Sequence, residues 1–529
     1  MPTRRRFIHT SLTVVASVAL GPPIHLGRAA GLVLRRARVI DGTGAGAFLA
    51  DVAVLDGRIH AVGPRVELPG AEEIDLQGLV LAPGFLDIHS HADGTVLEDP
   101  RVESVIRQGV TTVVVGQDGS FRREMTEWKE RLAEVRPAVN FATMVGLGSV
   151  RGTVVGADDR PATGEELARM VGLVEAAVAA GACGASSGLE YTPGGFASRQ
   201  ELIALCRPLA ARRLPYATHM RNEDDRLLDA IDEAIAVAAG AGCPLQISHL
   251  KAQGPRNWPR MGAALERIDT ARRNGVDAGF DIYPYIAYQT GLSNLFPLWS
   301  RDGGTDAFLA RLGDGAQADR IQSETLAKVE LIGGWNNVLI SSISEGDKGA
   351  EGSRLGDAAR TRGKDPYPFA VELLRQTNGQ VGMVGFAMSE ENVERGLRHE
   401  HSVICSDGSA VAIDGPARRG HPHPRSLGTF PRVLSRYVRD RKVLTLEAAV
   451  HKMTALPAER VRLTDRGRIA PGLAADLVAF DPARVTDRAT FEDPFQYPDG
   501  IRLVMVNGQV VLREGRRTSA APGKAVVPA

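Results

Sequence analysis

Two histidines one residue apart follow an apolar stretch early in the chain. The segment LAPGFLDIHSHADG, 81–94, contains His89 and His91. On an extended strand, alternate side chains point to the same face, so both imidazoles would project together. Neutral imidazole is a common ligand of transition metals. The pair therefore indicates a metal site, although two histidines in a surface turn would give the same pattern.

Other polar residues also end apolar runs that have the character of strands. They are Asp118 after VTTVVVG, His219 in LPYATHM, His249 in PLQISHL and Asp407 after SVICS. Amphipathic segments such as GEELARMVGLVEAAVAA lie between these runs and show helical spacing. Alternating strands and helices predict a parallel sheet, and eight repeats predict a barrel. Because a barrel carries its active site at the carboxyl ends of its strands, all six side chains are expected at one rim.

The predicted architecture is an α/β fold with three parts. A TIM-like (β/α)₈ barrel is expected over 84–460, with an insertion over the barrel mouth at about 287–340. Short strands at 30–83 and 461–515 are expected to pair into one small β-sandwich domain built from both the N- and C-terminal segments. The last residues, 516–529, lack periodicity and are predicted to be a disordered tail.

The composition is that of a globular enzyme and limits the kinds of partner. The 529 residues include 63 basic and 63 acidic side chains, so the formal net charge is zero. This balance gives no electrostatic reason to expect a nucleic acid or a stable membrane association, and a small-molecule substrate is the expected partner. The four cysteines form no CxxC pair and are expected to be buried thiols. The composition does not predict an oligomeric state.

The first 29 residues have the order of an export signal. Arginines come first, then an apolar segment, then small residues ending near Ala29. The apolar segment is too short for a permanent transmembrane helix. The stretch TRRRFI at 3–8 is similar to a twin-arginine signal, with an ordinary secretory signal as the alternative. The sequence thus predicts export, to the periplasm of a bacterium.

The residues at the strand ends resemble those of the amidohydrolase superfamily. There the first strand supplies His-x-His, the fifth and sixth one histidine each, and the eighth an aspartate. Further motifs resemble the D-aminoacylase family of N-acyl-D-amino-acid deacylases: GASSGLEYTPG at 184–194, THMRNE at 218–223, SHLKAQGPRNW at 248–258, and HPRSLGTFPRVL later in the chain. The resemblance extends from about Leu32 to Gly515. It implies a metal-dependent hydrolase that cleaves N-acyl-D-amino acids into a carboxylate and a free D-amino acid.

The resemblance also implies a role for each matching residue. The implied ligands of one or two Zn²⁺ ions, or of other divalent metals, are His89, His91, Asp118, His219, His249 and Asp407. Asp407 would in addition act as the general acid and base. The implied substrate-binding residues are Tyr191, Lys251, Tyr283 and Arg425, of which Arg425 would hold the substrate carboxylate. For the two tyrosines and the lysine, packing at the barrel rim is the structural alternative.

Two features depart from the family pattern. Asp118 stands where the family usually carries a cysteine, and carboxylate oxygen can bind zinc or favour Mn²⁺ or Co²⁺. The change is also compatible with a catalytically weakened relative that only binds its ligand. The same site is compatible with another substrate, such as another amide, a D-dipeptide or a lactone. The stretch between Asp407 and Arg425 is longer than in typical D-aminoacylases and is expected to overhang the pocket. Since no lysine ends the fourth strand, the cyclic-amide hydrolases that carry a carboxylated lysine there are disfavoured.

Overall fold

The computed structural model describes residues 31–121 and 124–529, so the predicted export signal at 1–29 lies outside the described residues. In the described ranges the strands, in chain order, are β1 (Leu32–Val39), β2 (Phe48–Leu55), β3 (Arg58–Gly63), β4 (Glu72–Asp75), β5 (Val80–Pro83), β6 (Phe85–Asp87), β7 (Val110–Val115), β8 (Asn140–Thr143), β9 (Val145–Gly146), β10 (Ala185–Gly188), β11 (Tyr216–His219), β12 (Leu245–Ile247), β13 (Ala278–Ile282), β14 (Tyr288–Gly291), β15 (Val338–Ile343), β16 (Val381–Gly385), β17 (Ser402–Ile404), β18 (Leu477–Phe480), β19 (Ile501–Val506), β20 (Gln509–Arg513) and β21 (Arg516–Arg517).

The α-helices of the same ranges are α1 (Glu103–Ile106), α2 (Met125–Val135), α3 (Leu147–Val154), α4 (Gly164–Ala179), α5 (Arg199–Cys206), α6 (Leu227–Ala241), α7 (Met261–Arg273), α8 (Thr305–Arg311), α9 (Gly315–Leu331), α10 (Leu355–Thr361), α11 (Pro366–Gln376), α12 (Glu390–Arg398), α13 (Arg425–Arg432), α14 (Leu446–Met453) and α15 (Ala455–Arg460). Among the described helices, none combines the length and the apolar character that crossing a membrane requires. All four cysteines are buried free thiols.

A closed ring of eight parallel strands forms the centre of the molecule. Its order is β6, β7, β8 with its short continuation β9, β10, β11, β12, β13 and β17. The ring closes where Ser90 pairs with Gly408, and where the Asp407 amide donates to the carbonyl of His89 at 2.8 Å. Every residue of the longest ring strand, β7, is buried, as expected for parallel strands with both faces covered. The predicted (β/α)₈ barrel is confirmed.

The two ends of the chain meet in a second sheet. Nine strands form it, in the order β21-β20-β19-β18-β5-β1-β2-β3, with β4 paired to β1. The N- and C-terminal segments join where β18 pairs antiparallel with β5, for example Leu477 with Pro83 and Ala479 with Leu81. Apolar side chains from both segments share one core cluster in this sheet. The expectation that both segments build one β domain is confirmed.

The insertion between β13 and β17 is longer than predicted. Strands β14, β16 and β15 form a small antiparallel sheet, so the insertion reaches Gly385 rather than about 340. The pairing of β14 with β16 joins segments far apart in sequence, which local periodicity does not reveal. The insertion crosses the barrel mouth, because the Gly303 amide donates to the carbonyl of Ala157 at 3.2 Å beyond the third strand.

The prediction of a disordered tail at 516–529 is wrong. Residues Arg516–Arg517 pair with β20, and the later residues lie along β8. There the Phe141 amide donates to the carbonyl of Lys524, and the Val526 amide donates to the carbonyl of Phe141, both at 2.9 Å. Backbone hydrogen bonds of this kind hold an extended segment that has no apolar periodicity, so periodicity did not reveal it.

Candidate active site

The first metal-ligand group is built around the two histidines that follow β6. The Nε2 atom of His89 lies 3.4 Å from Asp118 Oδ1 and 3.5 Å from Asp407 Oδ1. The Nε2 atom of His91 lies 3.1 Å from Asp407 Oδ1 and 3.5 Å from Asp118 Oδ2. Two ligand atoms that share one tetrahedral zinc at about 2.1 Å are about 3.4 Å apart. These separations therefore suit a common ion.

A second group lies beside the first and shares Asp118 with it. It consists of Asp118, His219 at the end of β11 and His249 just after β12. Nε2 of His249 is 3.5 Å from Asp118 Oδ1, and Nδ1 of His219 is 3.1 Å from Nε2 of His249. All six predicted ligands thus converge at one rim, and Asp118 belongs to both groups.

Each of three histidines has a carboxylate next to its second ring nitrogen. Asp281 Oδ1 lies 3.5 Å from His89 Nδ1, Glu190 Oε2 lies 3.3 Å from His219 Nε2, and Glu223 Oε1 lies 3.1 Å from His249 Nδ1. Such outer carboxylates fix the tautomer and the orientation of metal-binding imidazoles. Asp281, Glu190 and Glu223 were not among the predicted site residues. The last two stand in the quoted motifs LEYTPG and THMRNE, so charged residues beside a predicted ligand were the available signal.

The backbone of the site is held in an uncommon conformation. Asp118, His249 and Asp407 have φ values of 53°, 34° and 50°, in the left-handed region that side chains other than glycine rarely adopt. Such backbone strain is concentrated at functional sites, where the surrounding structure imposes it. For Asp118 one restraint is visible, since the amide of the following Gly119 donates to Ser186 Oγ at 3.0 Å.

Buried polar atoms of this cluster lack partners among the described residues. Both ring nitrogens of His89 and the Oδ1 atom of Asp118 are buried without a hydrogen bond. Burial by itself lowers the pKa of His91, but Asp118 and Asp407 outweigh it and raise that pKa to about 9. The same two carboxylates raise the pKa of His89 well above its ordinary value, against the effect of burial. The surroundings of these imidazole nitrogens and carboxylate oxygens stabilise a positive charge, so the atoms suit a divalent cation such as zinc.

The four predicted substrate-binding residues line the same cavity, which has a volume of about 910 Å³. Arg425 begins α13, and its Nη1 donates to Asp407 Oδ2 at 2.7 Å while its buried Nε has no partner among the described residues. Lys251 Nζ donates to both carboxylate oxygens of Glu223, at 2.7 and 2.8 Å. The ring of Tyr283 lies under the Arg425 guanidinium, with 4.9 Å between Cζ and the ring centre.

Tyr191 stands on the opposite side of the metal-ligand groups. Its hydroxyl lies 3.4 Å from His219 Nδ1 and accepts from Thr290 Oγ1 at 3.2 Å. Burial raises its pKa well above the ordinary value, with Asp118 adding to the effect, so the phenol stays protonated and can donate. The structure therefore brings the predicted site residues together, and all of them except the buried His89 line one cavity.

The long stretch between Asp407 and Arg425 does not cover this cavity as expected. Of its residues, Ser409 lines the cavity, residues 413–416 are exposed at the surface, and His423 is buried against the rings of Tyr283 and Tyr285. Arg101 Nη1 donates to Asp414 Oδ1 at 2.8 Å, and the amide of His421 donates to the carbonyl of Ser341 at 2.6 Å. The roof comes from the insertion instead, since Asn294 donates to Glu190 Oε2 at 3.2 Å.

Comparison with known proteins agrees with this geometry. The model of the amidohydrolase family matches residues 72–290 and 410–512. An N-acyl-D-glutamate deacylase of Alcaligenes xylosoxydans xylosoxydans is 36% identical, over 93% of this chain and 96% of that protein. The crystal structure of an N-acyl-D-glutamate deacylase from Bordetella bronchiseptica, complexed with zinc and a phosphonate mimic of the tetrahedral intermediate, superposes with a TM-score of 0.81 at 33% identity, covering 94% of this chain and 99% of that one.

A solved D-aminoacylase, whose binuclear metal centre has been studied, superposes with a TM-score of 0.79 at 35% identity and with the same two coverages, 94% and 99%. These likenesses extend over nearly the whole described chain and include both the barrel and the β domain. With its family match, its ring of eight strands and its converging ligand groups, this chain belongs to the amidohydrolase family.

Proposed function

We propose that this chain is a zinc-dependent hydrolase that cleaves the amide bond of N-acyl-D-amino acids. One observation carries the proposal: two potential ligand groups share Asp118 and open into a cavity beside the buried guanidinium of Arg425. The relatives named above are deacylases of N-acyl-D-amino acids, which supports this substrate class. The products are a carboxylate and a free D-amino acid.

We assign the metal to the six converging residues. His89, His91, Asp118 and Asp407 would hold one ion, and Asp118, His219 and His249 a second one. Asp281, Glu190 and Glu223 orient the imidazoles from behind. A bound zinc ion would polarise the amide carbonyl and lower the pKa of water at the site.

Asp407 carries the proton in this proposal. Burial alone would raise the pKa of Asp407, but the charges of Arg425, His89 and His249 hold it well below the ordinary value, so the carboxylate is ionised. It takes a proton from the attacking water as the new C–O bond forms. It then delivers that proton to the amide nitrogen as the C–N bond breaks.

The substrate is positioned by the groups around the ligands. Arg425, with an unpartnered Nε, offers donors to the α-carboxylate of the amino acid. Tyr191, held by Thr290, donates toward the reacting carbonyl oxygen, where negative charge develops. Lys251, paired with Glu223, lies at the rim with its Nζ 2.7 Å from His249 Nδ1.

A comparison of enantiomers tests the proposed function. Hydrolysis of N-acetyl-D-methionine and N-acetyl-L-methionine is measured before and after removal of divalent metal with a chelator. We expect the D-form to be hydrolysed at least about a hundred times more efficiently, and activity to return with zinc. Equal rates for both enantiomers would remove the D-amino acid assignment. A protein that binds the D-form without turnover would be a non-catalytic relative.

We also propose that the enzyme is exported to the bacterial periplasm by the twin-arginine route. The order of arginines, apolar segment and small residues in 1–29 supports this. Replacing Arg4 and Arg5 by lysine should leave the enzyme inside the cell, whereas the unaltered chain should fractionate with the periplasm. An unchanged distribution would contradict the twin-arginine route.

A further inference from the structure

The cavity extends well beyond the metal-ligand groups. Its volume of about 910 Å³ is near the upper end of the ~300–1,000 Å³ that small-molecule sites usually have. An N-acetyl amino acid is smaller than the ligands that fill such sites. The unfilled part lies between α3 and the insertion, and we call it the outer arm. Its residues are Ser149, Gly152, Thr153, Gly156, Ala157, Gly304 and Thr305.

The outer arm lies across the barrel mouth from the carboxylate-binding end. Arg425 contacts Asp407 and Tyr283, which follow the eighth and seventh strands of the ring. The outer arm follows the third strand, β8 with β9, which faces the seventh in a ring of eight. With its α-carboxylate at Arg425 and its amide at the ligand groups, a substrate directs its acyl group into the outer arm.

The floor of the outer arm is kept open by glycines of α3 and the loop after it. A Cβ atom on Gly152 would find its nearest neighbour, Pro193 Cγ, at 3.5 Å, and one on Gly156 would meet nothing within 4 Å. Beyond these glycines the Asp159 amide donates to Asp302 Oδ1 of the insertion at 2.7 Å, which joins the loop after α3 to the insertion. The outer arm is therefore bounded by α3 on one side and by the insertion on the other.

Hydroxyl groups and exposed backbone line the outer arm. Thr153, Thr305 and Ser149 contribute the hydroxyls. The Thr153 hydroxyl donates to the carbonyl of Ser149 at 2.9 Å, whereas the Ser149 hydroxyl accepts from the Phe121 amide at 2.9 Å, which leaves its own proton free to donate. An aliphatic chain would cover these groups without satisfying them, which costs free energy. Peptide groups, with one donor and one acceptor each, can pair with them.

Building on the proposed function, we propose that the outer arm binds a peptidyl acyl group, so that the preferred substrates are short peptides ending in a D-amino acid. Water adds across the last peptide bond. Its oxygen joins the carbonyl carbon to form the carboxylate of the shortened peptide, and its proton goes to the nitrogen of the released D-amino acid. The reaction is thus the same hydrolysis with a larger acyl group.

Three derivatives of D-methionine test this proposal. They are the N-acetyl form, the N-acetyl-L-alanyl form and the N-hexanoyl form, and kcat/KM is measured on the zinc-loaded enzyme. We expect the peptide to exceed both others by about tenfold or more, because remote binding energy is realised in kcat/KM. A matching or better rate for the hexanoyl form would overturn the assignment of a polar arm. Equal kcat/KM values for the peptide and the acetyl form would show that the outer arm does not bind the acyl group.

Two matched variants locate the effect. Gly152→Leu fills the outer arm, and Gly172→Leu is its control on α4, where a Cβ meets nothing within 4 Å. We expect Gly152→Leu to lower kcat/KM for the peptide by about tenfold while N-acetyl-D-methionine changes by about twofold or less. Equal losses on both substrates would show that Gly152 serves folding or catalysis. If the unaltered enzyme hydrolyses none of the three derivatives, the proposed function itself fails. If it hydrolyses them without preferring the peptide, only the assignment of the outer arm fails.

Discussion

Arg425 and Asp407 form a buried ion pair in which the guanidinium donates to Oδ2 and leaves Oδ1 to face His91. Arg425 thus keeps Asp407 ionised while one carboxylate oxygen remains directed toward the ligand groups. The pair thus joins the proposed carboxylate-binding group, Arg425, to the proposed proton carrier, Asp407.

Replacing Asp407 by asparagine should therefore stop turnover. We expect kcat to fall by about 10²–10⁴-fold, because the amide cannot accept the proton of water. The other five ligands remain, so zinc measured by elemental analysis should stay bound. Retention of most of the activity would exclude Asp407 as the general base. Asp319→Asn, the same change at an exposed aspartate of α9, serves as a control for folding.

Asp118 is predicted to decide metal content. Asp118→Ala removes the oxygens shared by both ligand groups, and we expect the purified variant to lose at least one equivalent of zinc. Asp118→Cys should keep its zinc, since thiolate is also a zinc ligand. Metal content is measured after dialysis against a fixed free zinc concentration. Full zinc and full rate in the alanine variant would make Asp118 a bystander.

Glu223 is expected to act through His249 and Lys251. Glu223→Gln removes the charge that pairs with Lys251 and faces His249 Nδ1. Loss of such an outer carboxylate weakens metal affinity by about 10–100-fold. A zinc titration with a competing chelator measures this directly, without reliance on turnover. Glu233→Gln is the control, since Glu233 lies on α6 and pairs with Arg221. An equal loss of zinc affinity in this variant would contradict a specific role of Glu223.

The ordered tail should contribute to stability. A Cβ atom on Gly523 would lie 2.0 Å from the carbonyl oxygen of Val139, so Gly523→Val cannot fit without displacing the tail. We expect the free energy of unfolding to fall by about 1–3 kcal/mol, as for overpacked sites. Gly46→Val, where a Cβ meets nothing within 4 Å, is the control. Denaturant unfolding measures both, and equal stability of the two variants would show that the tail is not needed.

The buried Lys452, which lies away from the active site, should make the stability of the fold depend on pH. Its buried ammonium donates to the Ser402 hydroxyl at 2.9 Å, and burial lowers its pKa from 10.5 to about 8. Between these values the unfolded chain binds more protons, so stability rises with pH. Relative to Lys452→Met, the free energy of unfolding should rise by up to about 3 kcal/mol from pH 8 to 10.5. A constant or falling difference in urea titrations would contradict this.

The sequence predicted the barrel and the ligand positions because both follow from local patterns. His219 and Asp407 stand at or just after apolar strands, and the topology of a parallel barrel brings such positions to one rim. Glu190, Glu223 and Asp281 escaped prediction because their roles depend on which imidazole nitrogen each one faces. That relation arises between strands, and its one local sign was that Glu190 and Glu223 stand in motifs already singled out.

The insertion and the tail show the same limit. Tyr288–Gly291 pairs with Val381–Gly385, and Lys524 pairs with Phe141, across long separations in sequence. Short strands held by backbone hydrogen bonds need little apolar periodicity, so their composition resembles that of loops. The expected overhang after Asp407 failed because the length of a segment does not determine its direction.

The pairing of Leu81 with Ala479 has a consequence for synthesis of the chain. As the polypeptide leaves the ribosome, one edge of β5 stays bare until the entire barrel has been made. A product terminated early would display an unpaired strand edge, which invites aggregation. The β domain therefore closes only after translation has passed β18, which comes later in the chain than every strand of the barrel.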